Sequence, residues 1–221
     1  MEQSSQLPAQ SKQIPHVFRH VHWNGRTYYL HRSCTGKGGS QYRMTSDVRA
    51  GQAAELPAGF EVIDSMSGGG AFVCKIKPQQ IPASDLALVR SALDSTGDLQ
   101  YFFAEIRDEA IVIHEPRRWR ALRIKAAEAR VKLDPSSMAR LLGPRQRGIV
   151  EAHDEEGRAL IVANYIKSGR FDAVMRFVYD PGQPRYVAER KPGGGNRSWS
   201  PLAFGGEIDA VIEKYLPLLV T

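Results

Sequence analysis

Apolar and polar residues alternate from Thr27 to Thr35, and Gly36-Lys37-Gly38-Gly39 supplies a turn into a second strand, Ser40 to Thr45. The pattern repeats around Ser67-Gly68-Gly69-Gly70, with Phe60 to Asp64 before it and Ala71 to Ile76 after it. Phe72, Cys74 and Ile76 share one face there, because successive side chains of a strand point to opposite sides. The period then changes. Leu86, Val89, Ala92 and Leu93 recur at helical spacing between Ser84, placed as an N-cap, and Gly97. Phe102, Ala104 and Ile106 alternate up to Asp108-Glu109, and Ile111 and Ile113 alternate beyond it, which predicts a third hairpin. Such short connections suit antiparallel pairing.

Past Pro116, the residues Trp119, Leu122, Ala126, Ala129 and Leu133 fall three and four apart and predict one apolar helical face. Leu122, Ile124 and Ala126 alternate with Arg123 and Lys125, so a strand competes, and the alanines favour the helix. Asp134-Pro135 opens a short helix through Leu142 that Gly143-Pro144 ends, since Asp caps well and Pro is tolerated at the first helical position. Strands are then expected near Gly148 to His153, Ala159 to Lys167 and Phe171 to Tyr179. A further strand, Arg185 to Lys191, pairs across Asp180-Pro181-Gly182-Gln183, and the loop from Pro192 to Pro201 is too rich in glycine to order itself. Ile208, Val211, Ile212 and Tyr215 mark a final amphipathic helix ending at Pro217.

This order predicts an α+β fold, with antiparallel hairpins forming one or two sheets, each covered by helices. Residues 1–13 are polar and aperiodic and read as a flexible tail. Residues 14–115 form an N-terminal α+β region, and residues 116–221 a C-terminal α+β region entered through a basic helix. The boundary is placed near Pro116, where charge composition changes, with a single continuous sheet as the alternative.

Composition narrows the class. With 221 residues, 42% hydrophobic and 24% charged, the chain can bury a core without crosslinks, which excludes disordered and fibrous classes. Its start lacks the basic and apolar regions of a secretory leader. The apolar runs Ala159 to Ala163 and Leu216 to Val220 fall far short of the roughly 20 residues that cross a bilayer. Cys34 and Cys74 suggest neither a disulfide framework nor a metal knuckle. A cytoplasmic protein with no membrane partner is expected.

The segments YYLHRSCTGKGGSQYRM, LPAGFEVIDS and AFVCKIKP, together with RFDAVMRFV and the strand after it, resemble parts of a bacterial protein family to which no function is assigned. The likeness covers about half of the chain and its residues are hairpin-forming, so it implies a bacterial cytoplasmic protein and transfers no site.

Charge is the strongest functional clue. Between Arg117 and Arg147, ten Arg or Lys face only Glu128 and Asp134, so this stretch carries +8 of a chain whose net charge is +6. Concentrated positive charge attracts polyanions, because neutralising phosphates releases condensed counterions. Arg117, Arg118, Arg120, Arg123, Lys125, Arg130 and Lys132 are the candidate nucleic-acid contacts, with Trp119 or Tyr101 as stacking platforms. The structural reading of the same segment is a solvated helix face whose long stems cover the core. DNA or RNA is the first expected partner and an acidic protein surface the second.

Other constellations carry less. His16, His20 and His22 form H-x3-H-x-H ahead of Cys34, but the spacing matches no established metal motif, and neither metal nor cofactor is expected. Gly36-Lys37-Gly38-Gly39-Ser40 lacks the earlier glycine of a phosphate-binding loop, so a turn explains it. Cys34 has no neighbouring base to activate it. Asp172, Glu189 and Lys191 lie on predicted strands and form the one enzymatic alternative, a metal-dependent nuclease, provided that they fold to within about 6 Å of one another.

Overall fold

A computed structural model describes residues 17–48, 51–68, 70–142, 153–191 and 198–219. The described residues divide into two compact units, one within residues 1–63 and 71–75 and the other within residues 64–70 and 76–221. Pro116 lies inside the second.

In the first unit, strands β1 (Arg19–Val21), β2 (Thr27–Cys34) and β3 (Ser40–Thr45) form an antiparallel sheet in that order, and β4 (Phe60–Asp64) pairs with β5 (Ala71–Lys75). The expected hairpin between β2 and β3 is present, with Cys34 opposite Ser40. Its turn places Gly38 at φ +79, where a side chain would be strained. Alternation along β2 buries Tyr28 and Leu30, and His22 and His31 are buried with them.

The second unit is built on a five-stranded antiparallel sheet. Helix α1 (Ala83–Ser95) precedes β6 (Phe103–Arg107) and β7 (Ala110–Pro116). Helices α2 (Arg117–Ala129), α3 (Pro135–Leu141) and α4 (Glu155–Lys167) follow. Then come β8 (Phe171–Asp180), β9 (Arg185–Arg190), β10 (Ser200–Gly206) and helix α5 (Ile208–Tyr215). The strand order is β10-β9-β8-β7-β6. Ile111 and Ile113 of β7, Met175 and Phe177 of β8, and Tyr186 and Ala188 of β9 share one core with Val89 and Leu93 of α1 and Val211 of α5. Two hydroxyls fasten helices to strands: Tyr186 donates to Asp85 Oδ2 at 2.7 Å, and Tyr215 accepts from the Phe204 amide at 2.9 Å.

The α+β class and its antiparallel hairpins are as the alternation predicts, and α1, α2, α3 and α5 lie where helices were expected. Three details differ. Residues 159–167 form the body of α4, not a strand. Asp154 caps that helix by accepting from the Gly157 amide at 2.8 Å, and Glu155 and Glu156 complement its dipole. Ser84 does not cap α1, because the helix starts two residues earlier than such a cap requires, at Ala83 after Pro82. Ser200 to Gly206 form a strand within and beyond the segment expected to be irregular. As the edge of the sheet, β10 tolerates Pro201. Gly205 is required there by close approach, since a Cβ would lie 2.9 Å from the Tyr186 carbonyl oxygen. The strand expected near 148–153 falls almost wholly outside the described residues.

Candidate anion-binding site

Helix α2 leaves β7 directly at Pro116, and Trp119, Leu122 and Ala126 bury its apolar stripe at spacings of three and four. Trp119 is only 1% exposed and packs with its ring tilted against Tyr101, centroids 4.7 Å apart, so it belongs to the core and is no platform for a base. Burial, with Asp98 nearby, raises the Tyr101 phenol above its ordinary value. The first turn of α2 holds no acid and three arginines, a poor match to the positive end of the helix dipole. Carboxylates of the sheet compensate.

Glu115 of β7 and Asp172 of β8 stand opposite one another across the strands. Like charges so placed repel, and both are held by the start of α2. Arg117 reaches Asp172 at 2.7 Å, and Arg120 bridges the two acids, donating from Nε to Glu115 and from Nη1 to Asp172 at 3.0 Å. Arg123 Nη1 lies 3.6 Å from Glu115 and donates to the Leu219 carbonyl at 3.2 Å. Arg118 turns the other way, donates to the Tyr165 carbonyl and the Ser168 hydroxyl, and covers the Tyr165 ring at 4.4 Å. These four candidates therefore anchor α2. Lys125, Arg130 and Lys132 are exposed, with no ion pair among the described residues. Arg130 ends the helix in a left-handed conformation, φ 55, its amide closing on Ala126 and Ala127.

A cavity of about 640 Å³ opens beside α2. Arg120 and Arg123 enter its wall from the helix, and Arg190 and Lys191 from the end of β9. Glu115 and Asp98 are its acids; Ile124, Val131, Leu133 and Leu219 contribute apolar surface. Arg120 Nη2 is buried without a hydrogen-bond partner. Such a guanidinium nitrogen is costly to leave unpaired, and an anion would satisfy it. Val131 and Leu133 line the cavity, so the exposed Arg130 and Lys132 flank it along the chain.

The sequence does not reveal that Arg190 and Lys191 share a cavity with α2, because that proximity depends on the strand order that sets β9 beside β8 and β8 beside β7, from which the helix departs. It also hides which arginines are spent on the fold, since Glu115 and Asp172 are 57 positions apart and meet only by strand pairing. Of the three nuclease candidates, Asp172 and Lys191 line one cavity, and Glu189 is not among its lining residues. Asp172 serves Arg117 and Arg120, whereas Glu189 serves Arg176. Glu189 stands opposite Arg176, four residues along β8 from Asp172 and on the order of 10 Å away at strand spacing. Among the described residues no three His, Cys, Asp or Glu side chains are grouped to hold a metal ion. His22 is buried against Trp23 and Tyr28, and His31 contacts the Asp47 carbonyl. No described helix is long and apolar enough to cross a membrane.

No family model matches this chain, and neither a curated protein nor a solved structure is significantly similar to it.

Proposed function

We propose that this chain is a non-enzymatic binding protein for a phosphate-bearing polyanion, nucleic acid first, and that its contact surface is the cavity beside α2 with the cations that follow the helix. The observation that carries this reading is the meeting of Arg120, Arg123, Arg190 and Lys191 in the lining of one cavity, with a guanidinium nitrogen of Arg120 unpaired. Lys125, Arg130 and Lys132 add exposed charge for neighbouring phosphates. Arg117 and Arg118 are positioning residues, tied to Asp172 and to the end of α4.

The test is a salt titration of binding to a labelled single-stranded oligonucleotide. Each phosphate contact contributes about −0.7 to the slope of log affinity against log salt, so four to six contacts give a slope between about −3 and −4. Arg190→Glu and Lys132→Glu each reduce affinity and flatten the slope by about one contact. A flat salt response, or an unchanged slope in both variants, refutes the assignment. Tight, salt-insensitive capture of an acidic protein would replace it with an apolar protein interface.

A further inference from the structure

His114 is buried, 3% exposed, on the sheet face opposite Ile111 and Ile113 of the same strand. Its Nε2 lies 3.0 Å from Glu105 Oε1, and neither ring nitrogen makes an aligned hydrogen bond. Buried imidazoles rarely leave both nitrogens unmatched. His114 lines a cavity of about 270 Å³ together with Arg107, Arg117, Lys191, Asp172 and Ser67. Arg107 and Arg117 are paired to Glu105 and Asp172, but each keeps further guanidinium N–H groups. Lys191 has no carboxylate partner among the described residues and rests 5.4 Å from the Trp199 ring. Three cations thus line the cavity against one acid.

The imidazole sets the chemistry of the ligand. Glu105 beside Nε2 favours the ring proton on that nitrogen, which leaves Nδ1 an acceptor while the ring is neutral. A ligand suited to this wall offers negative oxygens to Lys191 and the guanidinium groups, and one O–H to Nδ1. A partly protonated tetrahedral oxyanion does both. We propose that the His114 cavity is a binding site for hydrogen phosphate or a phosphate monoester. It is separate from the α2 cavity, sharing only Lys191 with it, and does not depend on the polyanion reading.

The experiment follows the His114 imidazole resonances of the full chain, assigned through the backbone, during titration with inorganic phosphate, methyl phosphate and sulfate in parallel. Inorganic phosphate is expected to move them saturably at millimolar concentration. Sulfate, which carries no proton at neutral pH, is expected to bind at least about tenfold more weakly, the factor for one lost hydrogen bond in a polar site. Methyl phosphate distinguishes a monoester site, where it matches or exceeds phosphate, from a site for the free anion, where it is excluded. Lys191→Met is expected to weaken phosphate about tenfold by removing the uncommitted cation. Arg123→Ala, in the other cavity only, lowers oligonucleotide affinity while the His114 titration persists, so the two readings fail separately. Resonances that stay fixed with every anion, equal responses to phosphate and sulfate, or an unchanged response in Lys191→Met would each overturn the proposal.

Discussion

Replacing Glu115 with Gln separates the two demands made on the arginines of α2. The carboxylate side chain is 8% exposed and lies between Arg120 and Arg123, whose side chains are 30% and 23% exposed. Removing one member of a fully buried pair costs about 3–5 kcal/mol, chiefly because the remaining charge loses its partner. Here the cations retain some solvent, Arg120 keeps Asp172, and the amide oxygen of Gln can still accept one bond. Screening therefore lowers the expected loss to about 1–3 kcal/mol. Urea unfolding followed by the helical circular-dichroism band measures it, since every described α-helix belongs to the second unit. Binding moves the opposite way: with Glu115 neutral, Arg120 and Arg123 present more charge to the cavity. Affinity for single-stranded oligonucleotide rises and the salt slope steepens by about 0.7. Unchanged stability would show that the ion pair does not hold α2. Reduced affinity at equal folding would show that Glu115 helps bind the ligand and does not compete with it.

Two other substitutions probe the frame. Burial first, and the hydrogen bond to Asp85 second, push the Tyr186 phenol far above its ordinary value of 10.0, so the folded state holds a proton that the unfolded chain releases. Stability from this group is complete below about pH 10 and falls as pH rises beyond it, by up to about 1.4 kcal/mol per pH unit; alkaline urea titrations show that slope reduced in Tyr186→Phe, and an identical slope in both refutes the linkage. Gly205→Ala sets a Cβ 2.9 Å from the Tyr186 carbonyl oxygen and is expected to cost about 1–3 kcal/mol in urea unfolding, whereas no loss would mean that β10 shifts without penalty.

The hairpins were legible because strand alternation and turn glycines are local signals, and β2 with β3, β6 with β7 and β8 with β9 all follow them. Residues 159–167 were not, because Leu160, Ile161 and Val162 interrupt the amphipathic period with consecutive apolar side chains. The decisive signal lay upstream, where Asp154 caps and two acids fill the first turn. Strand β10 was masked by Pro201 and the glycines, residues that an edge position permits. The candidate site was legible only as charge: the segment from Arg117 announced itself by composition, but its division into structural and available cations depends on two carboxylates that pairing brings opposite each other.

That division has a mechanical logic. A helix entered through three arginines is unfavourable by its own dipole, and two acids facing each other across strands are unfavourable by repulsion. Each arrangement removes the other's penalty, so Glu115 and Asp172 need the start of α2 as much as α2 needs them. The same exchange limits function, because charge committed to the sheet is withdrawn from any phosphate. Changes within this quartet of Glu115, Asp172, Arg117 and Arg120 must move stability together with affinity. Changes at Lys125, Arg130 and Lys132, which share no carboxylate with the sheet among the described residues, should move affinity alone. A double-mutant cycle between Glu115→Gln and Arg120→Ala, read in both urea unfolding and oligonucleotide binding, therefore has to show coupling in both measurements. Pairing Glu115→Gln with Lys132→Ala has to show it in neither.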